Sequence, residues 1–306
     1  MQTVSKRSFS NRALTGLCAT AITLGLVPGS VLAHDDPSHY DNSKAPHESP
    51  YKAEPPKGGH SNLANAATNP IANLVQFQLQ NQYNWDNANS NGYSNAFLIQ
   101  PVVPIKLASK AVPLMITRTT IPYVSTPDLG NPNHRKHGLG DTTVLALGLP
   151  KIKLKKQMIG VGISTIFPIG GDNDATGSGK WQAGPALVYI NMQTKSLQWG
   201  ALGWHNWSYA DTSSGEDKKD VSVSSIQPFI TKHFSDGWYL AMQDITWNYN
   251  HKSNNWTTPI GPRLGRVMKI GEQPVNLFGA VYYDPNDDGP SAKWTAKINL
   301  TLLFPE

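Results

Sequence analysis

The chain has 306 residues, with 26 Lys and Arg against 21 Asp and Glu, nine His and one Cys. Lys6, Arg7 and Arg12 carry three of the positive charges, so a formal charge near +2 of the total +5 remains in the rest of the chain. That balance does not predict a nucleic-acid-binding surface. The only cysteine, Cys18, lies in the same N-terminal region, so we expect no thiol chemistry, disulfide or cysteine-based metal site beyond it.

The first 33 residues have the pattern of a secretory signal peptide. The three basic residues precede an apolar stretch, residues 13–31, and Val31-Leu32-Ala33 is a small-residue cleavage site. A membrane anchor is the alternative, but Pro28-Gly29-Ser30 interrupts the stretch before the roughly 18–20 apolar residues of a spanning helix. We expect cleavage after Ala33.

Residues 34–69 are rich in His, Pro, Lys, Asp and Ser and have few large apolar side chains. Such a segment cannot bury enough apolar surface to offset its ordering entropy, which predicts a flexible periplasmic tail. Neutral imidazoles bind zinc, copper or nickel, but the spacing of the tail histidines matches no closed structural site. An unstructured linker is the default here, and metal binding stays open. The histidines are His34, His39, His47 and His60.

The clearest strand pattern lies in residues 74–83, where Val75, Phe77, Leu79 and Tyr83 alternate with four glutamines. A period of two places all four glutamines on one face of a strand. In a membrane barrel the apolar face meets lipid and the polar face lines a wet lumen, whereas a soluble half-buried sheet reverses the faces. This strand alone does not decide between the two. The glutamines are Gln76, Gln78, Gln80 and Gln82.

The connections between the predicted strands alternate between long polar loops and short turns. This alternation is typical of outer-membrane barrels, whose long loops face outward and whose short turns face the periplasm. It predicts about twelve strands, and the longest loop, 122–138, is the candidate for an inward-folded constriction. The long loops are predicted at 86–92, 122–138, 169–180, 210–220, 250–257 and 285–290; the short turns are predicted at 108–110, 151–156, 193–196, 235–237 and 271–273.

The last strand repeats the first pattern, with apolar residues from Ile298 to Phe304 opposing polar ones from Lys293 to Thr301. A terminal strand ending in an aromatic resembles the insertion signal of outer-membrane proteins. In residues 144–149 and 159–167 the face opposite the large apolar residues is small rather than polar, which suggests tight interior packing or a narrow lumen.

Aromatic residues cluster near the predicted strand ends. Amphipathic rings favour the headgroup level, so this placement favours two membrane belts over a soluble β-core. The residues are Tyr83, Trp85, Tyr123, Trp181, Trp207, Tyr209, Trp238, Tyr239, Trp247, Tyr249, Trp256, Tyr282, Tyr283 and Trp294.

Charged residues within the predicted strands are few, and an Arg or Lys facing lipid at the midplane costs about 2–4 kcal/mol, so most should point inward. Asp244 fits the inward phase between outward Ile245 and Trp247, whereas Arg118 shares its phase with apolar residues and stays unassigned. The candidate lumen-lining residues are Gln76, Gln78, Gln80, Gln82, Asp244, Lys293 and Lys297.

Motifs for catalysis or cofactors are absent or incomplete in the sequence. Residues 170–180 fail as a phosphate loop, because Trp181 stands where Ser or Thr should follow Lys180. Residues 284–289 begin like a calcium loop, but Thr295 replaces the bidentate Glu. His205 and Ser208 are three apart and so point to opposite faces of a strand, which argues against a nucleophile–base pair. We expect no enzymatic activity and no cofactor.

Several short segments together resemble a family of proteobacterial outer-membrane barrels described as transporters of the phenol meta-cleavage pathway. The resemblance covers most of residues 69–305 and implies a barrel that passes small aromatic or hydrophobic compounds; it supplies no functional residues. The segments are RTTIPY at 118–123, GLGD at 138–141, GKWQAGP at 179–185, QPF at 227–229, GWYL at 237–240 and GEQPVN at 271–276.

The sequence therefore predicts an all-β protein, an antiparallel transmembrane β-barrel of about twelve strands over residues 70–306, in the Gram-negative outer membrane. We expect a channel or transporter for small molecules, in contact with the lipid bilayer and lipopolysaccharide, with an unknown permeant and no nucleic-acid partner. A non-transporting structural or surface-binding barrel is the alternative. A soluble periplasmic barrel or sandwich is a third reading. A plugged barrel would show paired Arg and Asp with bulky apolar filling; a channel would keep a continuous polar path.

Overall fold

The computed structural model describes residues 60–87, 92–128, 131–152, 154–170, 176–194, 196–212, 218–286 and 292–305. The predicted signal peptide and the predicted tail through residue 59, with His34, His39 and His47, lie outside these residues, as does the side chain of His60. Within the described ranges, no helix is both long and apolar enough to cross a membrane.

The described residues form twelve antiparallel strands that close into a barrel, which confirms the predicted fold class. Three of the strands are interrupted and consist of two segments each. The strands are β1 (Val75–Asn87), β2 (Ser94–Lys106), β3 (Leu114–Asp128), β4 (Asn131–Leu139 and Thr142–Leu149), β5 (Gln157–Phe167), β6 (Lys180–Thr194), β7 (Leu197–Asp211), β8 (Ser222–His233), β9 (Trp238–Met242 and Trp247–Asn250), β10 (Asn255–Thr257 and Arg263–Ile270), β11 (Gln273–Tyr283) and β12 (Ala292–Phe304).

Each strand pairs with its neighbours in sequence, and β1 also pairs with β12, from Val75 opposite Phe304 to Trp85 opposite Trp294. The first and last strands thus close the barrel and leave no open edge. Both of these strand ends, Val75 and Phe304, lie at the end of the barrel that carries the turns 150–156 and 271–272. In outer-membrane barrels this end faces the periplasm, and we call it the periplasmic end.

Large apolar side chains cover the outer wall. Ile163, Leu187 and Ile298 are 57%, 55% and 68% exposed, while their chain neighbours Ser164 and Asn299 are almost fully buried inside. Exposed aromatic side chains lie toward both ends of the strands. They include Tyr83, Tyr123, Trp207, Tyr209, Trp256 and Trp294 toward the loop end, and Trp199, Phe234, Trp238 and Phe304 toward the periplasmic end. An apolar outer wall with aromatic ends is the arrangement of a transmembrane barrel.

Two tyrosines that were expected in the aromatic belts, and the inward face of one strand, are placed differently in the structure. Tyr239 and Tyr282 are buried in the interior, where their hydroxyls are hydrogen-bonded. Leu145 and Leu147 also point inward, whereas the small face of their strand was expected inside. The physical reason is that two apolar clusters fill much of the barrel interior, one containing Leu145 and Leu147 and the other Tyr239 and Tyr282, so large side chains do not mark the lipid side.

The predicted long loop at 122–138 is wrong. These residues continue β3 to Asp128 and begin β4 at Asn131, so they form a hairpin that extends the wall rather than an inward-folded constriction. Both faces of this extension carry polar residues, which removes the apolar alternation by which a half-buried strand is detected. The predicted loop at 250–257 is likewise a tight hairpin between β9 and β10.

The last part of the predicted flexible tail is ordered. Residues 60–67 form helix α1 (His60–Ala67), which packs against β8, β10 and the turn Ser235–Gly237 at the periplasmic end. Ala64, Ile71 and Leu74 are almost fully buried, and they join the two apolar clusters of the barrel interior. Residues 60–74, which we call the plug segment, therefore fill the periplasmic mouth.

Candidate channel lumen

The inward face of β1 is polar. Gln76, Gln78 and Gln80 line a cavity of about 110 Å³ that also touches residues 67–70 of the plug segment. Gln82 lines a second cavity of about 340 Å³ nearer the long loops, together with Asn84. We call these the plug-side cavity and the loop-side cavity. Lys293 lies near the loop end of β12, and its ammonium contacts the carbonyl of Asn286 at 3.4 Å.

An inward bend in β9 separates the two cavities. Residues 243–246 lie between the two segments of β9, and Asp244 adopts a positive φ of 60° there. Ile245 is 2% exposed and belongs to an interior cluster, so its predicted outward orientation is wrong. The bend shifts the alternation, which returns when Trp247 pairs with the exposed Ile226 on the outer face.

An ion pair fixes this inward bend. The guanidinium of Arg263, 3% exposed, contacts the Asp244 carboxylate at 2.5 Å and donates to the hydroxyl of Tyr239 at 2.8 Å. Its carbon centre lies 3.6 Å from the ring centroid of Phe278. Because Arg263 follows the interruption of β10 and Asp244 lies in that of β9, the pair joins the two broken strands.

Gln243 and Lys297 add further contacts to the bend. The Gln243 amide donates to the carbonyl of Thr68 in the plug segment at 2.9 Å, and the Gln243 carbonyl accepts from Tyr282 at 2.7 Å. Lys297 donates to the Asp244 carbonyl at 2.6 Å. The bend is therefore connected to the wall on one side and to the plug on the other.

Positive charge dominates the plug-side cavity. Arg118, Arg263 and Lys297 line it together with a single carboxylate, that of Asp244. Arg118 lies 3.5 Å from the amide oxygen of Gln227. Asp244, Thr246 and Lys297 line both cavities, so the boundary between them is polar. A small space lined by fixed cations favours anions over cations.

The plug segment closes the periplasmic side of the plug-side cavity. Gln198 donates to the carbonyl of Asn65 at 3.0 Å, and the Thr68 hydroxyl lies 3.3 Å from a ring nitrogen of His233. Ile71 is 0% exposed within an apolar cluster. An occluded barrel was expected to show paired Arg and Asp together with bulky apolar filling. This interior has both, in the Arg263–Asp244 pair and in the apolar clusters.

Arg118, Arg263 and Gln243 were missed as lumen residues. Arg118 shares its phase with Leu114 and Ile116, which also point inward because an apolar cluster fills part of the interior there. The sequence held a signal for the wall interruption next to Arg263: Pro259 and Pro262 have no N–H to donate to a neighbouring strand.

His205 and Ser208 have different hydrogen-bond partners in the structure. Ser208 bonds to Asp220 at 3.4 Å, while a His205 ring nitrogen lies 2.8 Å from the Ser224 hydroxyl. That hydroxyl also lies 2.9 Å from His251. Among the described residues, neither imidazole contacts a carboxylate that would orient it as in a catalytic triad. No group of three His, Cys, Asp or Glu in the described ranges could hold a metal ion.

Together the lipid-facing wall, the closed twelve-strand barrel and the charged, occluded lumen define a transmembrane β-barrel of the outer-membrane type. The structure is similar to that of an outer-membrane channel from Pseudomonas putida F1, with a TM-score of 0.61 and 14% identity over 76% of this chain and 96% of that one. This likeness shows the fold.

Two further solved structures align more weakly. The NanC porin gives a TM-score of 0.48 at 14% identity over 75% of this chain and all of that one. Outer membrane phospholipase A from Escherichia coli gives 0.39 at 13% identity over 76% of this chain and 96% of that one. No protein-family model matches the chain, and no curated protein matches it.

Proposed function

We propose that this protein is a non-enzymatic, selective channel of the Gram-negative outer membrane, closed in this state by its plug segment. The observation that carries the proposal is the polar interior, in which two cavities meet at Asp244, Thr246 and Lys297. The lining of the plug-side cavity holds three cations and one carboxylate. Because buried charge without a partner costs free energy, this excess of cations supports a role in solute passage rather than in stability.

The cations of the plug-side cavity favour small anionic solutes, or solutes with an anionic group. The sequence resemblance to transporters of the phenol meta-cleavage pathway favours aromatic or hydrophobic permeants. Both properties are combined in small aromatic acids, which we propose as the first permeants to test. The outer wall meets the lipid bilayer, and we propose lipopolysaccharide as the lipid around its loop end.

The test is conductance and reversal potential in planar bilayers under a KCl gradient. We expect discrete openings with a preference for chloride. Lys297→Gln should lower the chloride-to-potassium permeability ratio about fivefold, since one charge at 4 Å contributes about 1 kcal/mol in water. Lys293→Gln, which removes the same charge near the loop end, should leave the ratio nearly unchanged. Equal effects of the two substitutions would contradict a selective plug-side cavity.

A structural, non-transporting barrel is the second candidate. The apolar clusters around Ile71 and Leu74 favour it, because they fill the periplasmic half of the interior. It predicts no conductance, both for the protein as it is and after the plug segment is released.

A further inference from the structure

We propose that the barrel wall contains a lateral portal, through which an uncharged apolar small molecule passes from the loop-side cavity into the lipid phase. The portal is the gap between residues 243–246 of β9 and residues 258–262 of β10. This inference rests on the proposed channel function and adds a second exit to it.

The gap is a break in the hydrogen-bonded wall. β9 and β10 pair at Ala241 opposite Arg263 and again at Asn248 opposite Thr257. Within the described range 218–286, no strand pairing joins the residues between these two points. Trp247 bridges the gap through one side-chain bond, from its indole nitrogen to the carbonyl of Pro259 at 3.0 Å.

The sequence itself encodes this break. In β10 the interruption reads Thr258-Pro259-Ile260-Gly261-Pro262, and the two prolines have no N–H to donate to a neighbouring strand. Ile260 instead pairs on its other side with Tyr283, through two bonds of 2.8 Å. A Cβ at Gly261 would lie 2.0 Å from the Val281 carbonyl oxygen, so the chain is pressed toward β11 and away from β9.

An apolar groove covers the gap on the outside. Its volume is about 840 Å³, within the range of about 300–1,000 Å³ that is typical of small-molecule sites. Ile230, Leu240 and Ile260 line it and are 45%, 46% and 49% exposed on the lipid-facing wall. Lys232 is the single charged residue of its lining.

The loop-side cavity lies behind the same gap. Its lining includes Ile245, Thr246 and Pro259, while the groove lining includes Met242, Ile260 and Pro262. Met242 also packs against the interior cluster that contains Ile245. The wall between groove and cavity is thus reduced to a few side chains that no β-ladder restrains.

The position of the gap identifies the chemistry of the occupant. An apolar molecule that enters between the long loops meets the charged boundary at Asp244 and Lys297. Its transfer from there into lipid costs no free energy, because it makes no polar contacts that would be lost. A lateral exit at this level bypasses both that boundary and the plug segment. An ion cannot take this route, because the groove offers apolar side chains over nearly its whole lining.

The test compares two tryptophan substitutions in intact cells that express the full chain. The readout is the initial rate of uptake of 1-N-phenylnaphthylamine, an uncharged aromatic probe that fluoresces in an apolar phase. Ile260→Trp fills the groove, whereas Leu264→Trp adds the same ring to the lipid-facing side of β10 outside the groove lining. Met242→Trp is a second groove variant. Heat-modifiable electrophoretic migration establishes that each variant is folded.

We expect Ile260→Trp to slow probe uptake about tenfold, corresponding to about 1.4 kcal/mol on the barrier, and Leu264→Trp to stay within about twofold of the unsubstituted protein. Ion conductance should be the same in all of them. Normal conductance with probe uptake that is insensitive to both groove variants overturns the portal and leaves the channel intact. Loss of a co-purifying phospholipid in Ile260→Trp with unchanged uptake assigns the groove to a lipid acyl chain and overturns the portal as well. Absence of conductance and of uptake in the unsubstituted protein overturns the proposed function itself.

Discussion

At the residue scale, Asp244 has several roles, of which one belongs to its side chain and two to its backbone. Its carboxylate neutralises Arg263, its carbonyl accepts from Lys297, and its positive φ turns the chain inward. Asn tolerates the same left-handed backbone, so replacing Asp244 by Asn removes the charge and keeps the bend. Asp244 is therefore the residue at which electrostatics can be separated from shape.

We predict that Asp244→Asn lowers the free energy of unfolding by about 1–3 kcal/mol, because the buried Arg263 loses its charged partner. The measurement is urea unfolding of the protein refolded into phospholipid vesicles. Asp236→Asn is the matched control, since Asp236 also has a positive φ, of 53°, and is exposed in a periplasmic turn. A loss of equal size at Asp236 would show that the substitution, rather than the ion pair, is responsible.

The sequence sufficed for some of these residues and failed for others for a definable reason. Gln76, Gln78 and Gln80 were assigned to one face because polar and apolar residues alternate without exception there. Arg118 could not be assigned, because alternation shows which side of a strand faces lipid only when the inward side is polar throughout, and here the inward Leu114 and Ile116 are apolar.

At the element scale, the plug segment and the hairpin of β3 and β4 were both misjudged as irregular. Residues 60–69 are too polar to indicate a buried helix, yet Ala64 and Ala67 suffice because the barrel supplies the rest of the apolar contact. The β3–β4 extension lacks alternation because neither of its faces is buried in lipid. Tertiary surroundings, which no local pattern contains, decide both cases.

We predict that Ile71→Asp releases the plug segment and raises single-channel conductance. A carboxylate in the apolar cluster around Ile71 would have to be buried without a partner, at a cost of at least several kcal/mol, so expulsion of the segment is favoured. Conductance in planar bilayers is the measurement. Asn73→Asp, which adds the same charge at a half-buried position of the same segment, should conduct like the unsubstituted protein. A closed barrel in both variants would favour the structural alternative.

At the scale of the whole molecule, apolar side chains face outward and many polar side chains face inward, which is the reverse of a soluble protein. The outer wall is apolar at Leu187 and Ile298, whereas polar groups such as Asn299 and Arg263 are interior. The sequence pattern was compatible with either arrangement. Closure of β1 on β12 is what settles it, because a closed barrel places the two faces of every strand unambiguously inside or outside.

We predict that the folding free energy lost by placing a lysine on the outer wall increases with the depth of the position in the membrane. Ile298→Lys, in the middle of β12, should cost about 2–4 kcal/mol of folding free energy in vesicles, whereas Ile270→Lys, at the periplasmic end of β10, should cost about 0–1 kcal/mol. Both positions are more than half exposed, at 68% and 60%. Urea titrations in vesicles measure both, and equal costs would contradict a membrane-spanning wall.

The seam between β1 and β12 also has a mechanical consequence. Leu74, the last residue of the plug segment, immediately precedes the pair of Val75 and Phe304. A pull on the N-terminal side from the periplasm would extract helix α1 first, then Ile71, and would then meet a continuous ladder along the seam. Release of the plug segment would therefore stop at Val75, and the closed β1–β12 seam would stay intact.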